Sequence, residues 1–187
     1  FNQYFQNLAD KLAESFDEEL IDTAENESAS TTVGGEWYRD LNYSIEYMDD
    51  NMISVLITTT AYNGGAAHDN VQLESLTYDF VQGFRIDGSN IFWNEDQTEA
   101  IKALIIEKMD ENPDMYYPNY ADLVDSTFDK NNFVFTEDGL RIFFQTYDLA
   151  PYAAGIITFD ISNEELNEIY GENGEFAENG EYNAEKE

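Results

Sequence analysis

Apolar and polar side chains alternate along residues 41–47, which predicts a β-strand with one face in water. The run Asp49-Asp50-Asn51 predicts a turn after it. Residues 52–62 form the next predicted strand, and its centre, ISVLITTT, is apolar on both faces, so we expect it inside a sheet. A glycine-rich loop follows, and residues 71–82 predict a third strand.

Helical spacing of apolar side chains appears in three places. Residues 1–20 predict an amphipathic helix, with apolar positions at Tyr4, Phe5, Leu8, Leu12, Phe16 and Leu20. A second helix is predicted after Asn94, a favourable N-cap, and it ends at Asn112-Pro113. Its predicted buried face consists of Ala100, Ile101, Leu104, Ile105 and Met109. A short helix is expected within residues 116–126, and a capping box at residues 162–165 opens a last helix that ends near Tyr170.

The segment FVFTEDGLRIFFQTYDLAPYAAG, residues 133–155, predicts two strands, a tight turn and an aromatic loop. Glu137-Asp138-Gly139 supplies the turn, with Gly139 at a position that tolerates positive φ. The second strand is expected to extend to Tyr147, and a further strand is predicted over residues 156–159.

The order helix, strands, helix, strands, helix predicts an α+β fold in which an antiparallel β-sheet has helices packed on one face. We expect one domain over residues 1–170. Residues 171–187 repeat Glu-Asn-Gly-Glu twice and are interpreted as an acidic low-complexity tail.

Charge narrows the classes of partner. Eight Lys and Arg residues stand against 40 Asp and Glu residues, which gives a formal net charge of −32. Such a chain repels phosphate backbones and anionic membranes, so nucleic-acid binding is not expected. The charge favours solubility, cations and basic proteins, although adaptation to a saline habitat would produce the same composition.

Cysteine is absent, which excludes disulfides, thiolate metal sites and cysteine nucleophiles. No apolar run reaches the roughly 20 residues that a membrane-spanning helix needs. The chain begins at Phe1, without methionine or a signal peptide, which we interpret as a mature exported chain or a fragment.

No motif of a hydrolase or nucleotide-binding enzyme occurs, so no catalytic residue, metal ligand or cofactor is predicted. The segment Asp110-Glu111-Asn112-Pro113-Asp114 begins like a calcium loop, but Met115 replaces the glycine that such a loop requires at its sixth position. A turn that ends a helix is the alternative interpretation.

Two loops carry the candidate interaction residues. His68, the single histidine, is either a ligand or contact residue or a side chain that orders its own loop. Tyr147, Pro151 and Tyr152 either form an exposed aromatic patch, or the loop folds back so that both tyrosines fill the core.

These two loops resemble a known family, the extracytoplasmic C-terminal domain of RsiV-type anti-sigma factors, which is also a domain of unknown function shared with PdaC-type peptidoglycan deacetylases. The resemblance rests on a strand that ends in Y-x-GGAH, a Tyr-Asp strand that ends in Gly, and a T-x-D-G-L hairpin followed by A-P-Y-A-x-G. An additional alanine precedes His68, and Asp69 stands where the family has proline. The matching positions are Tyr62, Gly64, Gly65, Ala66 or Ala67, His68, Tyr78, Asp79, Gly83, Asp138, Gly139, Leu140, Tyr147, Ala150, Pro151, Tyr152, Ala153 and Gly155.

The resemblance implies a non-catalytic, extracytoplasmic binding or sensing domain, secreted or held at the cell surface, whose partner is a basic protein such as lysozyme. The partner-binding residues that it implies are Tyr62, Gly64, Gly65, His68, Tyr147, Pro151 and Tyr152. The deacetylase association implies an alternative, a cell-wall accessory domain that binds peptidoglycan. A carboxylate-based hydrolase is a third interpretation, which 40 acidic residues leave open.

Overall fold

The computed structural model describes residues 38–62, 66–92 and 94–171, together with part of an N-terminal helix. The described residues of that helix are Gln3, Gln6, Asn7, Asp10, Lys11, Ala13 and Glu14. The six apolar positions predicted to face the core from this helix lie outside the described residues, as do residues 172–187 of the predicted acidic tail.

The chain divides into two compact units. The first contains Phe1–Asn42 and Thr58–Gln72, and the second contains Tyr43–Ile57 and Leu73–Glu187. In the first unit, the rings of Tyr38 and Tyr62 stack with their centroids 5.9 Å apart.

Four strands form the first sheet, in the order β1-β2-β3-β4. The strands are β1 (Tyr38–Met48), β2 (Met52–Tyr62), β3 (Asn70–Asp79) and β4 (Phe84–Ile86). The position of β2 between two neighbours agrees with its predicted interior place. The third predicted strand was too long: it ends at Asp79, because the Asp79 carboxylate accepts hydrogen bonds from the Val81 and Gln82 N–H groups and closes a turn.

Besides the partly described N-terminal helix, four helices lie in the middle of the chain and at the end of its described part. They are α1 (Gly88–Ile91), α2 (Glu95–Asp110), α3 (Tyr120–Thr127) and α4 (Asn163–Tyr170). The Asn94 side chain accepts a hydrogen bond from Gln97 N–H at the start of α2, and Ser162 with Glu165 forms the predicted capping box of α4. Ion pairs from Lys102 to Asp125, at 2.7 Å, and from Lys108 to Glu165, at 2.6 Å, join α2 to α3 and α4.

The second sheet has three antiparallel strands in the order β5-β6-β7. They are β5 (Phe133–Thr136), β6 (Gly139–Phe144) and β7 (Ile157–Ser162). Gly139 pairs with Thr136 across the hairpin and has φ 149°, as the turn sequence predicted. The second strand of the hairpin was predicted to reach Tyr147, which is wrong, because the backbone turns after Phe144.

Both sheets contribute to the second compact unit, and Ser54 connects them. Its hydroxyl is fully buried, lies 2.8 Å from the Thr77 hydroxyl of β3 and accepts a hydrogen bond of 2.9 Å from Phe135 N–H of β5. Arg141 of β6 adds ion pairs with Glu46 of β1 and Asp160 of β7. The main core lies between the second sheet and the helices, and includes Ile101, Ile105, Met109, Leu140, Ile142, Phe144, Phe159 and Leu166.

The predicted fold class, α+β with antiparallel strands and packed helices, is confirmed. The sequence predicted a single sheet, whereas the strands form two. Strand β4 and helix α1 were not predicted, since segments of three and four residues are too short for a periodicity.

Candidate functional site

We call residues 145–155, the loop between β6 and β7, the tyrosine loop. It opens with a turn in which Gln145 N–H donates to the Asp148 carboxylate, at 2.7 Å, and Asp148 N–H donates to the Gln145 carbonyl, at 3.1 Å. This turn removes Gln145 from the ladder of β6 and so ends the strand three residues before Tyr147.

The side chain of Gln145 fixes the start of the tyrosine loop to the first sheet. Its carbonyl oxygen accepts a hydrogen bond of 3.0 Å from Leu73 N–H, and its amide nitrogen donates one of 2.8 Å to the Leu73 carbonyl. The amide therefore pairs with β3 as a neighbouring strand would. Both groups of Leu73 are satisfied by one side chain that is 72 positions away.

The middle of the tyrosine loop is anchored by aliphatic side chains. Leu149 and Ala150 have exposed fractions of 0% and 1%. Tyr117 N–H donates to the Leu149 carbonyl at 2.9 Å. A 3₁₀ turn at Tyr152–Ala154 follows. The buried side chains and the hydrogen bond from Tyr117 fix the backbone of the loop on the side that faces the core.

The outer surface of the tyrosine loop carries the three residues predicted there. Tyr147 is 51% exposed, Pro151 is exposed and Tyr152 is half-buried. The two tyrosine rings lie side by side, with centroids 5.8 Å apart and planes at 36°. The structure thus brings the rings of Tyr147 and Tyr152 together, and Pro151 is exposed next to Tyr152 in the chain. Leu149 and Ala150 occupy the buried positions that the alternative interpretation gave to the tyrosines.

Tyr147 has a backbone conformation that side chains disfavour. Its φ is 72°, and it is the one non-glycine residue with positive φ among those that the structure describes. A tyrosine in this region costs on the order of 1 kcal/mol relative to an extended or helical conformation. This backbone conformation places the Tyr147 ring on the surface, where the ring adds little to the packing of the core.

The other predicted site residues belong to the first compact unit. The Tyr62 hydroxyl donates to the Ala66 carbonyl at 3.2 Å, and His68 Nδ1 lies 2.8 Å from the Asp69 carbonyl oxygen. Both side chains therefore hold their own loop, and the His68 ring is exposed. Gly64 and Gly65 lie outside the described residues.

Asp148 brings an ionisable group into the tyrosine loop. Burial raises the pKa of its carboxyl above the ordinary value, and the hydrogen bond from Gln145 N–H acts in the opposite direction. The folded state therefore holds this proton more tightly than the unfolded state does, so the contribution of Asp148 to stability is largest in acid and falls as pH rises through its folded pKa.

Replacement of Asp148 tests whether burial of its negative charge lowers the stability of the fold at neutral pH. Asp148→Asn keeps an oxygen acceptor for Gln145 N–H and removes the charge. We expect the variant to equal or exceed the parent chain in free energy of unfolding at pH 7, and to lose that advantage as the pH approaches about 4. Urea unfolding at several pH values measures the difference. A gap between the two proteins that does not vary with pH would contradict the assignment.

The predicted calcium-like segment is a turn that ends a helix. Asp110 is the last residue of α2, Asn112 N–H donates to the Met109 carbonyl, and the Tyr120 hydroxyl donates to the Asp110 carboxylate. Within the described ranges, no group of three or more His, Cys, Asp or Glu side chains is placed to hold a metal ion. No helix in the described part of the chain is long and apolar enough to cross a membrane.

Three residues that shape the tyrosine loop were missed by the sequence prediction. Gln145 and Leu149 lie within the motif, but their roles depend on Leu73 and Tyr117, which are distant in sequence. Asp148 offered a local signal, since an Asp side chain often accepts a hydrogen bond from a nearby main-chain N–H group in a turn.

A known family model matches part of the chain. The family model described as "Protein of unknown function (DUF3298)" matches residues 89–164, which is less than half of the chain but includes the whole tyrosine loop. Residues 89–164 are therefore similar to the DUF3298 family. Tyr62 and His68 lie outside the matched DUF3298 segment. No curated protein matches the chain.

Two solved structures of DUF3298 proteins resemble the chain in fold. One, from Bacteroides fragilis NCTC 9343, has a TM-score of 0.58 and 21% identity over 89% of this chain and 66% of its own. The other, from Pseudomonas aeruginosa PAO1, has a TM-score of 0.51 and 21% identity over 72% of this chain and 63% of its own. The chain thus spans less than two thirds of the length of either solved protein.

Proposed function

We propose that this chain is a non-catalytic binding domain that acts outside the cytoplasm and recognises a basic protein through the tyrosine loop. The resemblance to RsiV-type domains points to lysozyme as the kind of partner. The proposal assigns no reaction to the chain and no cofactor.

The observation that carries this proposal is the construction of the tyrosine loop. Its backbone is fixed by Gln145 and Leu149, and it presents Tyr147 and Tyr152 as a pair of neighbouring rings. Tyrosine supplies a large contact area and a polar tip at a small loss of side-chain entropy, which is why it is enriched at binding surfaces. Because the loop is already ordered, little conformational entropy would be lost on binding.

The charge of the chain supports a basic partner. The formal net charge of −32 attracts a cationic protein over long distances, which raises the rate of encounter. The same charge repels acidic competitors. Attraction of this kind does not by itself produce specificity, because any basic protein experiences it. The tyrosine loop supplies the short-range contacts that would select one partner.

Biolayer interferometry against a c-type lysozyme, with cytochrome c as a basic protein of similar size, tests the proposal. We expect lysozyme binding to persist at physiological salt, where attraction between exposed charges is screened beyond about 8 Å. Pro151→Ala combined with Tyr152→Ala should weaken it by about tenfold or more. Equal binding of cytochrome c, or complete loss of lysozyme binding at physiological salt, would show that charge alone was responsible.

A single substitution at Tyr147 separates stability from binding. In Tyr147→Gly the positive φ no longer carries a penalty, so we expect a thermal midpoint equal to or above that of the parent chain. The same change removes the exposed ring and should lower partner affinity by about tenfold. Differential scanning fluorimetry and interferometry measure the two effects. A variant that loses stability and retains affinity would contradict the role given to this residue.

The paired tyrosines also favour a second candidate, the binding of peptidoglycan, because aromatic faces stack on sugar rings. Retention on purified peptidoglycan that is insensitive to salt and reduced by Tyr147→Gly would support it. Neutral glycan gains nothing from the acidic surface, which is why we rank this candidate below a basic protein. Strong retention would replace the protein partner by a wall polymer.

A further inference from the structure

Two turns lie together at one end of the first sheet, and each is organised by an aspartate. The Asp49 carboxylate accepts hydrogen bonds of 2.8 Å from the N–H groups of Asn51 and Met52, in the turn between β1 and β2. The Asp79 carboxylate accepts hydrogen bonds of 2.7 Å from the N–H groups of Val81 and Gln82, in the turn between β3 and β4. Both turns are therefore closed by side chains as well as by the main chain.

A main-chain hydrogen bond joins the two turns. Phe80 N–H donates to the Asn51 carbonyl at 2.6 Å. The ring of Phe80 in turn packs against Tyr78, with centroids 6.1 Å apart, and the Tyr78 hydroxyl donates to the Gly83 carbonyl. We call residues 48–51 and 79–83 the paired turns. Their contacts fix the backbone on which the exposed side chains stand.

The paired turns expose apolar side chains, although turns at the ends of strands are ordinarily polar. Met48 is 62% exposed, Phe80 44% and Val81 72%. Isolated exposed apolar residues are common on soluble proteins and need no explanation. Three on two hydrogen-bonded turns form a local concentration of the kind that marks contact surfaces.

Acidic residues occur in the same turns as these apolar side chains. Asp50 is exposed between the two strands, and Asp49 accepts a hydrogen bond from the Tyr47 hydroxyl. Burial, the hydrogen bond to Asp49 and the negative charges of Asp49 and Glu137 raise the pKa of Tyr47. Tyr47 itself directly precedes the paired turns in the chain.

We propose that the paired turns are a second interaction surface, which binds a basic amphipathic segment of another protein. Apolar side chains of that segment would cover Met48, Phe80 and Val81, and its Lys or Arg residues would face Asp50. A second copy of this chain is not the occupant, since two chains of −32 repel each other, and an anionic membrane is repelled for the same reason.

The paired turns are separate from the tyrosine loop, so this proposal goes beyond the proposed function. Gln145 contacts β3 at Leu73, whereas the paired turns begin at Asp79, where β3 ends. Six residues of strand at about 3.3 Å each put roughly 20 Å between these two points. A substitution in the paired turns therefore does not touch the tyrosine loop, and the reverse also holds.

A designed peptide tests the proposal. The probe is a fluorescein-labelled 18-residue helix of Lys and Leu with all leucines on one face, and its control has the same composition with the leucines distributed around the helix. Fluorescence anisotropy at physiological salt should show about tenfold tighter binding of the segregated peptide. Met48→Ser with Val81→Ser should lower that affinity about tenfold. Met115→Ser, at a residue that is 56% exposed elsewhere, and Pro151→Ala with Tyr152→Ala should leave it unchanged.

Amide shift mapping by NMR on the parent chain supplies a readout that does not depend on any variant. The segregated peptide is expected to shift the amides of Val81 and Gln82 first. The proposal is overturned if both peptides bind equally, if the paired-turn variant binds as the parent does, or if the shifts occur only in residues 145–155. Loss of the paired-turn surface with retained lysozyme binding would leave the proposed function intact.

Discussion

Gly139→Ala is expected to lower the free energy of unfolding by about 3 kcal/mol or more, a large effect for the addition of one methyl group. Gly139 has φ 149°, and a Cβ atom built on it would lie 2.1 Å from the carbonyl oxygen of Ile161 on β7. That oxygen belongs to the main chain of a paired strand, so it cannot move aside without disruption of the sheet. Both the backbone conformation and the close approach require glycine.

Urea unfolding followed by circular dichroism measures this loss, and Gly83→Ala is its matched control. Gly83 also has positive φ, 76°, but nothing lies within 4 Å of the added Cβ. The control should lose only the backbone penalty of about 1 kcal/mol. If the two variants were destabilised equally, the contact with Ile161 would have no energetic consequence and the hairpin geometry would be incorrect.

Leu149→Ala is the second large effect that we expect. The side chain is 0% exposed and belongs to the main core, so its truncation should cost about 2–5 kcal/mol, the range measured when buried leucines leave a cavity. Leu149 also anchors the tyrosine loop to the core. Partner affinity should therefore fall although the substituted side chain makes no contact with solvent.

The control for Leu149→Ala is Met115→Ala, since Met115 is 56% exposed and its truncation should change stability by less than about 0.5 kcal/mol. Thermal unfolding gives the two stabilities, and interferometry at a temperature where both variants are folded gives the affinities. Unchanged stability of Leu149→Ala would mean that the tyrosine loop is not anchored in the core.

Local sequence signals predicted much of the fold. The bounds of β2, Met52–Tyr62, follow from a long run of β-branched residues between a turn and a glycine loop. Asn94 and the Ser162–Glu165 capping box mark the starts of their helices because side-chain caps act within one turn of the chain. The hairpin turn at Gly139 was predictable for the same reason.

Elements shaped by distant contacts were not predicted. The strand β6 ends at Phe144, although the residues after it favour a strand, because the Gln145 main chain turns to bond with Asp148. The Gln145 side chain then pairs with Leu73 of another sheet, a contact that no local pattern indicates. Asp87 and Asn90 form a capping box around α1, a signal present in the sequence that was overlooked because the helix has only four residues. The short β4 exists through its pairing with β3.

In the tyrosine loop, too, some features follow from local sequence and others depend on distant contacts. Its motif predicted an aromatic patch, and the rings of Tyr147 and Tyr152 do lie side by side, with Pro151 exposed next to Tyr152 in the chain. Whether the tyrosines or the aliphatic residues faced inward could not be decided from the motif, because both residue types suit a core. The contacts of Leu149 with the core and with Tyr117 decide it.

Hydrogen exchange of the chain alone and with a c-type lysozyme tests the central claim most directly, because it locates a partner on the unmodified protein. The account predicts slower exchange of the amides in residues 145–155 on addition of lysozyme, no change around Met115, and no protection with cytochrome c at the same salt concentration. Protection confined to other parts of the chain, or equal protection by both basic proteins, would contradict the assignment of the tyrosine loop as the binding surface.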